Sequence, residues 1–155
     1  VLEKVSSPVE EFGKKLERLV EGMEKTLHAS GGVGLAAPQV GVSLRLFLAS
    51  DRERKRLHRI VNPVILEVEG SEIDMEGCLS FPEIYFSIAR PKRVVLEGYT
   101  PKGKKMICEA GGFLARCFLH EVDHLDGRLI VDYAAPAERA LWEQRLAELA
   151  GKVRV

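Results

Sequence analysis

The spacing of hydrophobic residues near the start of the chain predicts a helix over residues 8–30. Apolar side chains recur there at intervals of three and four, separated by Glu, Lys and Arg: Phe12, Leu16, Leu19, Val20, Met23 and Leu27. Gly31 and Gly32 end this predicted helix. The next segment, GVGLAAPQVG, is rich in glycine and contains Pro38, so we expect a loop or an irregular strand.

The pattern then changes to short apolar runs. Residues 44–49 and 60–68 are predicted strands, and Pro63 indicates an edge or a bulge in the second. The stretch DMEGCLSFPEIYF, residues 74–86, carries a cysteine among turn-forming residues and is predicted to be a loop. Residues 94–99 and 105–109 flank Pro101 and Gly103, which predicts a hairpin.

Two more helices are predicted late in the chain. The first covers residues 113–125, and these residues are predicted to lie on or near its inner side: Phe113, Leu114, Cys117, Phe118, His120 and His124. The second starts at Pro136 and is amphipathic, with Leu141, Trp142, Leu146 and Leu149. We therefore predict one α+β domain over residues 1–155, in which a buried motif helix packs against short, mostly antiparallel β-sheets, with an N-terminal and a C-terminal helix.

Composition narrows the functional classes. The charges of the 23 basic and 23 acidic residues cancel, so the net charge is zero. This balance gives no support to direct binding of DNA or of an anionic membrane surface. There is neither an apolar run of membrane-spanning length nor a signal-peptide pattern at the start of the sequence. Three cysteines without framework spacing favour a reducing compartment, so we expect a cytoplasmic protein with no membrane partner. Because the chain starts at Val1 in what reads as mid-element, we expect a short N-terminal piece to precede it.

The segment LHEVDHLDG, residues 119–127, carries the clearest chemical signal. On a helix, His120 and His124 share a face, so both can bind one metal ion while Glu121 lies beside it. The apolar residues before them predict that this face is buried, and burying two imidazoles without a metal or a hydrogen-bond network is costly. The alternative is a surface helix that happens to carry two histidines.

Several residues could complete such a site. Ile130 stands where a metzincin would have its third histidine. Glu143 is near the distance expected in a thermolysin-like zinc endopeptidase, although its surroundings equally indicate a solvated helix face. Cys117 would lie about 10 Å along the helix axis from His124, too far for an easy shared site. Cys78 can approach from another direction, so it is the favoured third ligand, with a fourth position left for water.

Three motifs together resemble those of the peptide deformylase family. They are GVGLAAPQ at residues 32–39, EGCLS at residues 76–80 and HEVDH at residues 120–124. They match the family patterns GxGLAAPQ, EGCxS and HExDH in the same order, and the resemblance covers nearly the whole chain. It implies a metal-dependent hydrolase that removes the N-formyl group from the N-terminal formyl-methionine of newly made polypeptides and releases formate.

The resemblance also implies a role for each matched residue. The metal ligands would be Cys78, His120 and His124. Glu121 would be the catalytic acid/base, and the Gln39 amide and the Leu79 backbone N–H would be the oxyanion donors. The expected substrate-binding residues are Gly32, Val33, Gly34, Glu76, Phe113 and Cys117. Among these, the main chain near Gly34 would hold the peptide, Phe113 and Cys117 would line the methionine pocket, and Glu76 would act behind the ligands.

The resemblance implies one divalent metal ion, with Fe(II) as the usual native metal and Ni(II) or Co(II) as active substitutes. A site of two histidines and one cysteine also suits Zn(II), so the sequence leaves open which ion a purified sample contains. The implied partner is an N-formyl-Met peptide. The last helix ends in Lys152 and Arg154, which leaves contact with the ribosome open, although docking of its leucines on the core is the favoured interpretation.

The sequence departs from the family pattern at three positions. Leu119 stands where Gln is common, Tyr85 where many members have Arg, and Arg116 where the residue is often apolar. These differences bear on substrate fit and rate more than on the chemistry. A deformylase-like binding protein without activity is the alternative from another functional class, and a turnover assay separates the two.

Overall fold

The computed structural model describes residues 4–78 and 81–128, except for the side chains of Cys78 and of residues 81–84. Within this part of the chain lie two helices, α1 (Lys14–Ser30) and α2 (Gly112–Leu125), and a short 3₁₀ turn (Ala37–Val40). It also contains seven strands: β1 (Gly34–Ala36), β2 (Leu46–Asp51), β3 (Arg56–Glu69), β4 (Glu72–Cys78), β5 (Phe81–Arg90), β6 (Arg93–Tyr99) and β7 (Lys105–Gly111). No helix in this part is long and apolar enough to cross a membrane.

The strands form two antiparallel sheets. One has five strands in the order β1-β2-β3-β6-β7, and the other is the hairpin β4-β5. Together with the two helices they make an α+β fold, which confirms the predicted fold class.

The five-stranded sheet lies between the two helices. Leu46 and Leu48 of β2 belong to the hydrophobic cluster that contains the inner face of α1. Phe47 and Ala49 belong to the cluster that contains α2. Successive side chains of a strand point to opposite faces of the sheet. Strand β2 therefore packs against α1 on one face and against α2 on the other.

Helix α1 confirms most of the predicted apolar stripe but starts later than predicted, so Phe12 lies before the helix and is exposed. Its buried residues are Leu16, Val20, Met23 and Leu27. Gly31 ends it in the left-handed conformation with φ 69°, which glycine adopts without strain. Residues 4–13 are not helical, and Ser7 among them forms an isolated parallel bridge with Leu44.

The remaining predicted elements agree well with the structure. Strand β2 begins at Leu46, two residues later than expected, and β3 runs from Arg56 to Glu69. The register of β3 against β6 shifts between Val61 and Val64, which confirms the bulge predicted at Pro63. The β6-β7 hairpin and α2 are also confirmed. The predicted helix starting at Pro136 lies outside the described residues.

The predicted loop over residues 74–86 is wrong, because most of this stretch belongs to β4 and β5. Burial alternates along β5: Phe86, Ile88 and Arg90 are buried, and the residues between them are exposed. This period of two is typical of a half-buried strand, but Gly77 and Pro82 obscured it in the sequence. The correction matters because this hairpin carries Glu76 and Cys78.

Candidate active site

Helix α2 brings the two histidines and the glutamate of HEVDH together in the interior. His120, Glu121 and His124 are all buried, with 8%, 4% and 1% of their surface exposed. The ring centroids of the two histidines are 5.0 Å apart, and the ring planes make an angle of 65°. The alternative of a surface helix is therefore excluded.

Glu76 of β4 reaches across to His120. Its Oε1 atom lies 3.0 Å from Nδ1 of the imidazole. Burial favours the protonated form of Glu76, but hydrogen bonds from His120 and Arg90 outweigh that effect and lower the pKa of Glu76 to about 2. A carboxylate at Nδ1 holds the proton there and leaves Nε2 as the nitrogen that can bind a metal.

Two arginines, Arg90 and Arg116, contact Glu76, and Asp123 contacts one of them; these contacts were not predicted. Arg90 donates to both carboxylate oxygens, with Nε 2.8 Å from Oε2 and Nη2 2.9 Å from Oε1. Its Nη1 donates to Asp123 of α2 at 2.5 Å. Arg116 donates to Oε2 at 2.6 Å. The sequence could have indicated a buried ion pair at Arg90, because a charged residue at an inward position of a strand needs a buried partner. That argument requires β5 to be recognised as a strand first.

The electrostatics around α2 suit a metal ion. Burial lowers the pKa of His124 to about 3, so its imidazole is neutral, the form that binds metals. Burial also raises the pKa of Glu121 to about 7, although the positive charges of His120 and Arg90 oppose the shift. Among the described residues, none donates a hydrogen bond to the buried Oε1 of Glu121. Two adjacent imidazoles beside such a carboxylate fit a divalent cation with a bound water.

Gly34 of β1 lies directly against the carboxylate of Glu121. A Cβ atom at Gly34 would lie 2.4 Å from Oε2 of Glu121 and 3.0 Å from Sγ of Cys117. The main chain of β1 therefore approaches Glu121 as closely as a residue without a side chain allows. Cys117 is buried, and its Sγ lies 3.5 Å from the carbonyl oxygen of Val33.

Cys117 carries a neutral thiol. Burial, together with the carboxylates of Glu121 and Glu76, holds the pKa of Cys117 well above its ordinary value. The thiolate is the form that binds metals, so this environment disfavours Cys117 as a ligand.

Gln39, in the 3₁₀ turn after β1, has an oriented side chain. Its Oε1 accepts a hydrogen bond from the backbone N–H of Ala36 at 2.8 Å. This bond assigns the carbonyl end of the amide and so directs the NH₂ group away from Ala36. An NH₂ group held in this way is suited to donating a hydrogen bond to a negatively charged oxygen.

The other predicted residues are less closely associated with the histidines. Phe113 is 63% exposed at the start of α2, so its predicted position on the inner side of the helix is wrong. Gly32 lies just before β1 and is half-buried. Cys78 is the last residue of β4, and its side chain is not described. Leu79, Ile130 and Glu143 lie outside the described residues.

The chain matches the model of the polypeptide deformylase family over residues 1–140. It belongs to the polypeptide deformylase family. It is 41% identical to a peptide deformylase of Thermotoga maritima over 155 residues, which are 99% of this chain and 93% of that protein. This result confirms the family that the three sequence motifs indicated. The members of the polypeptide deformylase family are enzymes, so this protein is an enzyme.

Solved structures of peptide deformylases have the same fold. One from Legionella pneumophila is 37% identical with a TM-score of 0.91, over 99% of this chain and 91% of that one. One from Thermus thermophilus is 41% identical with a TM-score of 0.89, over 96% of this chain and 89% of that one. The fold of the described residues is therefore that of peptide deformylases.

Proposed function

We propose that this enzyme hydrolyses the N-formyl group of the N-terminal formyl-methionine of newly made polypeptides and releases formate, using one divalent metal ion. The observation that carries the proposal is the buried Glu121 carboxylate beside His120 and His124, directly under the main chain of Gly34. Membership of the polypeptide deformylase family supports the substrate.

In this proposal Cys78, His120 and His124 hold the ion. Glu76 supports the arrangement, because its contact with Nδ1 of His120 leaves Nε2 for ligation. Glu76 precedes Cys78 by two residues on β4, so the strand that contacts His120 is also the strand that supplies the thiolate. When bound, the ion makes water acidic enough to lose a proton near neutral pH.

Glu121 is the acid/base of the reaction. It takes the proton from the attacking water and later delivers it to the nitrogen of the leaving amine, so the amide C–N bond breaks as formate forms. The Gln39 amide and the Leu79 backbone N–H donate hydrogen bonds to the oxygen that becomes negative during the attack. The main chain at Gly32, Val33 and Gly34 binds the peptide in an extended form.

The methionine side chain is proposed to bind near Cys117 and Val33, where the Cys117 Sγ lies 3.5 Å from the Val33 carbonyl oxygen. Phe113, the other residue predicted to line this pocket, is exposed at the start of α2. In this proposal it contacts the methionine side chain from that end of the helix. Replacing Cys117 by Val should therefore change KM for formyl-Met peptides more than kcat. An unchanged KM would place the methionine pocket elsewhere.

We propose Fe(II) as the ion in the cell and Zn(II), Ni(II) or Co(II) as ions that replace it in purified samples. A cysteine thiolate next to Fe(II) can be oxidised, so activity should decline in air and survive under anaerobic purification. Metal analysis of anaerobically purified protein measures the ion directly. We also propose a cytoplasmic location; ribosome contact through the last helix stays a prediction.

The function is tested by assaying formyl-Met peptides with matched variants. Glu121→Ala should retain the metal and lose hydrolysis, whereas Cys78→Ala should lose the metal. Cys117→Ala, at a cysteine not proposed as a ligand, should retain it. Equal metal content in the two cysteine variants would refute the ligand assignment. Cleavage of an internal bond in an unformylated peptide would instead favour the endopeptidase with Glu143.

A further inference from the structure

We propose that Arg116 is a positioning residue that ties the β4-β5 hairpin to helix α2 and so keeps the two parts of the metal-ligand set together. The hairpin carries Glu76 and Cys78, and the helix carries His120 and His124. This inference rests on the proposed function, in which residues from both elements bind one ion.

The guanidinium of Arg116 makes three hydrogen bonds, and each crosses from α2 to the hairpin. Nη1 donates to Oε2 of Glu76 at 2.6 Å and to the carbonyl oxygen of Ile88 at 2.8 Å. Nη2 donates to the carbonyl oxygen of Glu72 at 2.7 Å. One buried side chain of the helix therefore holds the backbone of β4, the backbone of β5 and the carboxylate behind His120.

The hairpin needs such an attachment. In the described part of the chain, β4 and β5 pair only with each other and do not join the five-stranded sheet. A two-stranded hairpin is at best marginally stable by itself in water. Side chains that link it to the rest of the protein therefore decide how firmly Cys78 and Glu76 are held beside α2.

Arg90 cannot replace Arg116 in this role. Arg90 lies on β5, so its two bonds to Glu76 stay within the hairpin, and its bond to α2 goes to the side chain of Asp123. Of these two arginines, Arg116 is the one that supports both strands from the helix. Its planar fork of donors also matches several acceptors at once, which a lysine ammonium does less well.

The Arg116→Met variant is expected to fold. Methionine keeps much of the apolar stem, and Arg90 continues to neutralise Glu76 after the substitution. What is lost is the set of three hydrogen bonds from Arg116 to the hairpin, while the contacts of Glu76 with His120 and of Arg90 with Asp123 stay in place. Residues that hold a metal ligand from behind typically contribute 10–100-fold to metal affinity, and we expect the lower end of that range, about tenfold, for Arg116.

The experiment compares Arg116→Met with Arg45→Met. Arg45 also donates to a backbone carbonyl of α2, that of Leu125 at 3.1 Å, and pairs with Asp126 at 2.9 Å. Among the described residues, no hydrogen bond or ion pair joins Arg45 to the hairpin. Two quantities are measured: amide hydrogen exchange of β4 and β5 in the metal-free protein, and the rate at which a chelator removes Zn(II). Arg116→Met should raise both by about tenfold, and Arg45→Met should raise neither.

Arg116→Lys provides a second variant if Arg116→Met fails to fold. It keeps the charge but loses the planar fork, so its exchange and release rates should lie between those of the wild type and Arg116→Met. Rates equal to those of Arg45→Met in either Arg116 variant overturn the inference. A failure of the proposed function gives a different result. If Cys78 is not a metal ligand, Cys78→Ala retains Zn(II) as the wild type does, and the amide hydrogen exchange of β4 and β5 still tests the role of Arg116.

Discussion

Replacing Gly34 by Ala gives the sharpest test of how β1 and Glu121 fit together. The added Cβ would lie 2.4 Å from Oε2 of Glu121, whereas ordinary contact begins at 3.4 Å. The difference, 3.4 minus 2.4, requires a displacement of about 1.0 Å. The carboxylate is the far end of a flexible side chain, so it is the group expected to move.

A misplacement of about 1 Å in a reacting group can reduce the rate by about 100-fold, or about 2.7 kcal/mol. We therefore expect kcat/KM of Gly34→Ala on formyl-Met peptides to fall by roughly that factor. The free energy of unfolding should fall by only about 1–3 kcal/mol, the usual effect of overpacking. Gly22→Ala is the matched control, because nothing lies within 4 Å of a Cβ at this position in α1. It should retain activity and gain about 0.5–1 kcal/mol of stability.

A double-mutant cycle decides whether the loss acts through Glu121. If the methyl group added at position 34 displaces the carboxylate, Gly34→Ala combined with Glu121→Gln should be no slower than Glu121→Gln alone. Additive losses would show that Gly34 acts through peptide binding and not through the acid/base. A Gly34→Ala enzyme within about threefold of the wild-type kcat/KM would refute the reasoning altogether.

Three further outcomes are expected. Gln39→Glu keeps the acceptor for Ala36 but removes the NH₂ donor, so kcat should fall about 10²–10³-fold with unfolding little changed; an unaltered kcat would remove Gln39 from the mechanism. The pKa of Glu76 is lowered to about 2, so the unfolding free energy should decrease as the pH falls from about 4.5 towards 2, on the order of 3 kcal/mol in all. In denaturant titrations, the free energy of unfolding should depend less on pH in Glu76→Gln than in the wild type. The same pH dependence in both proteins would contradict that account. Phe118→Ala in the core should lower stability by about 3–5 kcal/mol, whereas the exposed Phe113→Ala should change it by less than about 0.5; similar values would contradict the observed burial.

Much of the fold could be predicted from local patterns. The apolar spacing of α1 and α2, the hairpin of β6 and β7 and the bulge near Pro63 all depend on residues close together in the chain. The same holds for the pairing of His120 and His124 on one helical face, which follows from a spacing of four residues. Local patterning failed at β4 and β5, because Gly77 and Pro82 resemble the residues of a loop.

Only the tertiary structure decided which distant residues meet. Glu76 and His120 are 44 positions apart, and their contact depends on how the hairpin docks against α2. The approach of Gly34 to Glu121 likewise follows from packing α2 on the sheet, and no periodicity in the sequence encodes it. Arg116 could be identified as a departure from the family pattern, but its partners could not. They are two backbone carbonyls and the carboxylate of Glu76, and all three lie on strands that the sequence alone did not predict. Secondary structure is set largely by neighbours along the chain, whereas these contacts depend on how whole elements share one buried interior.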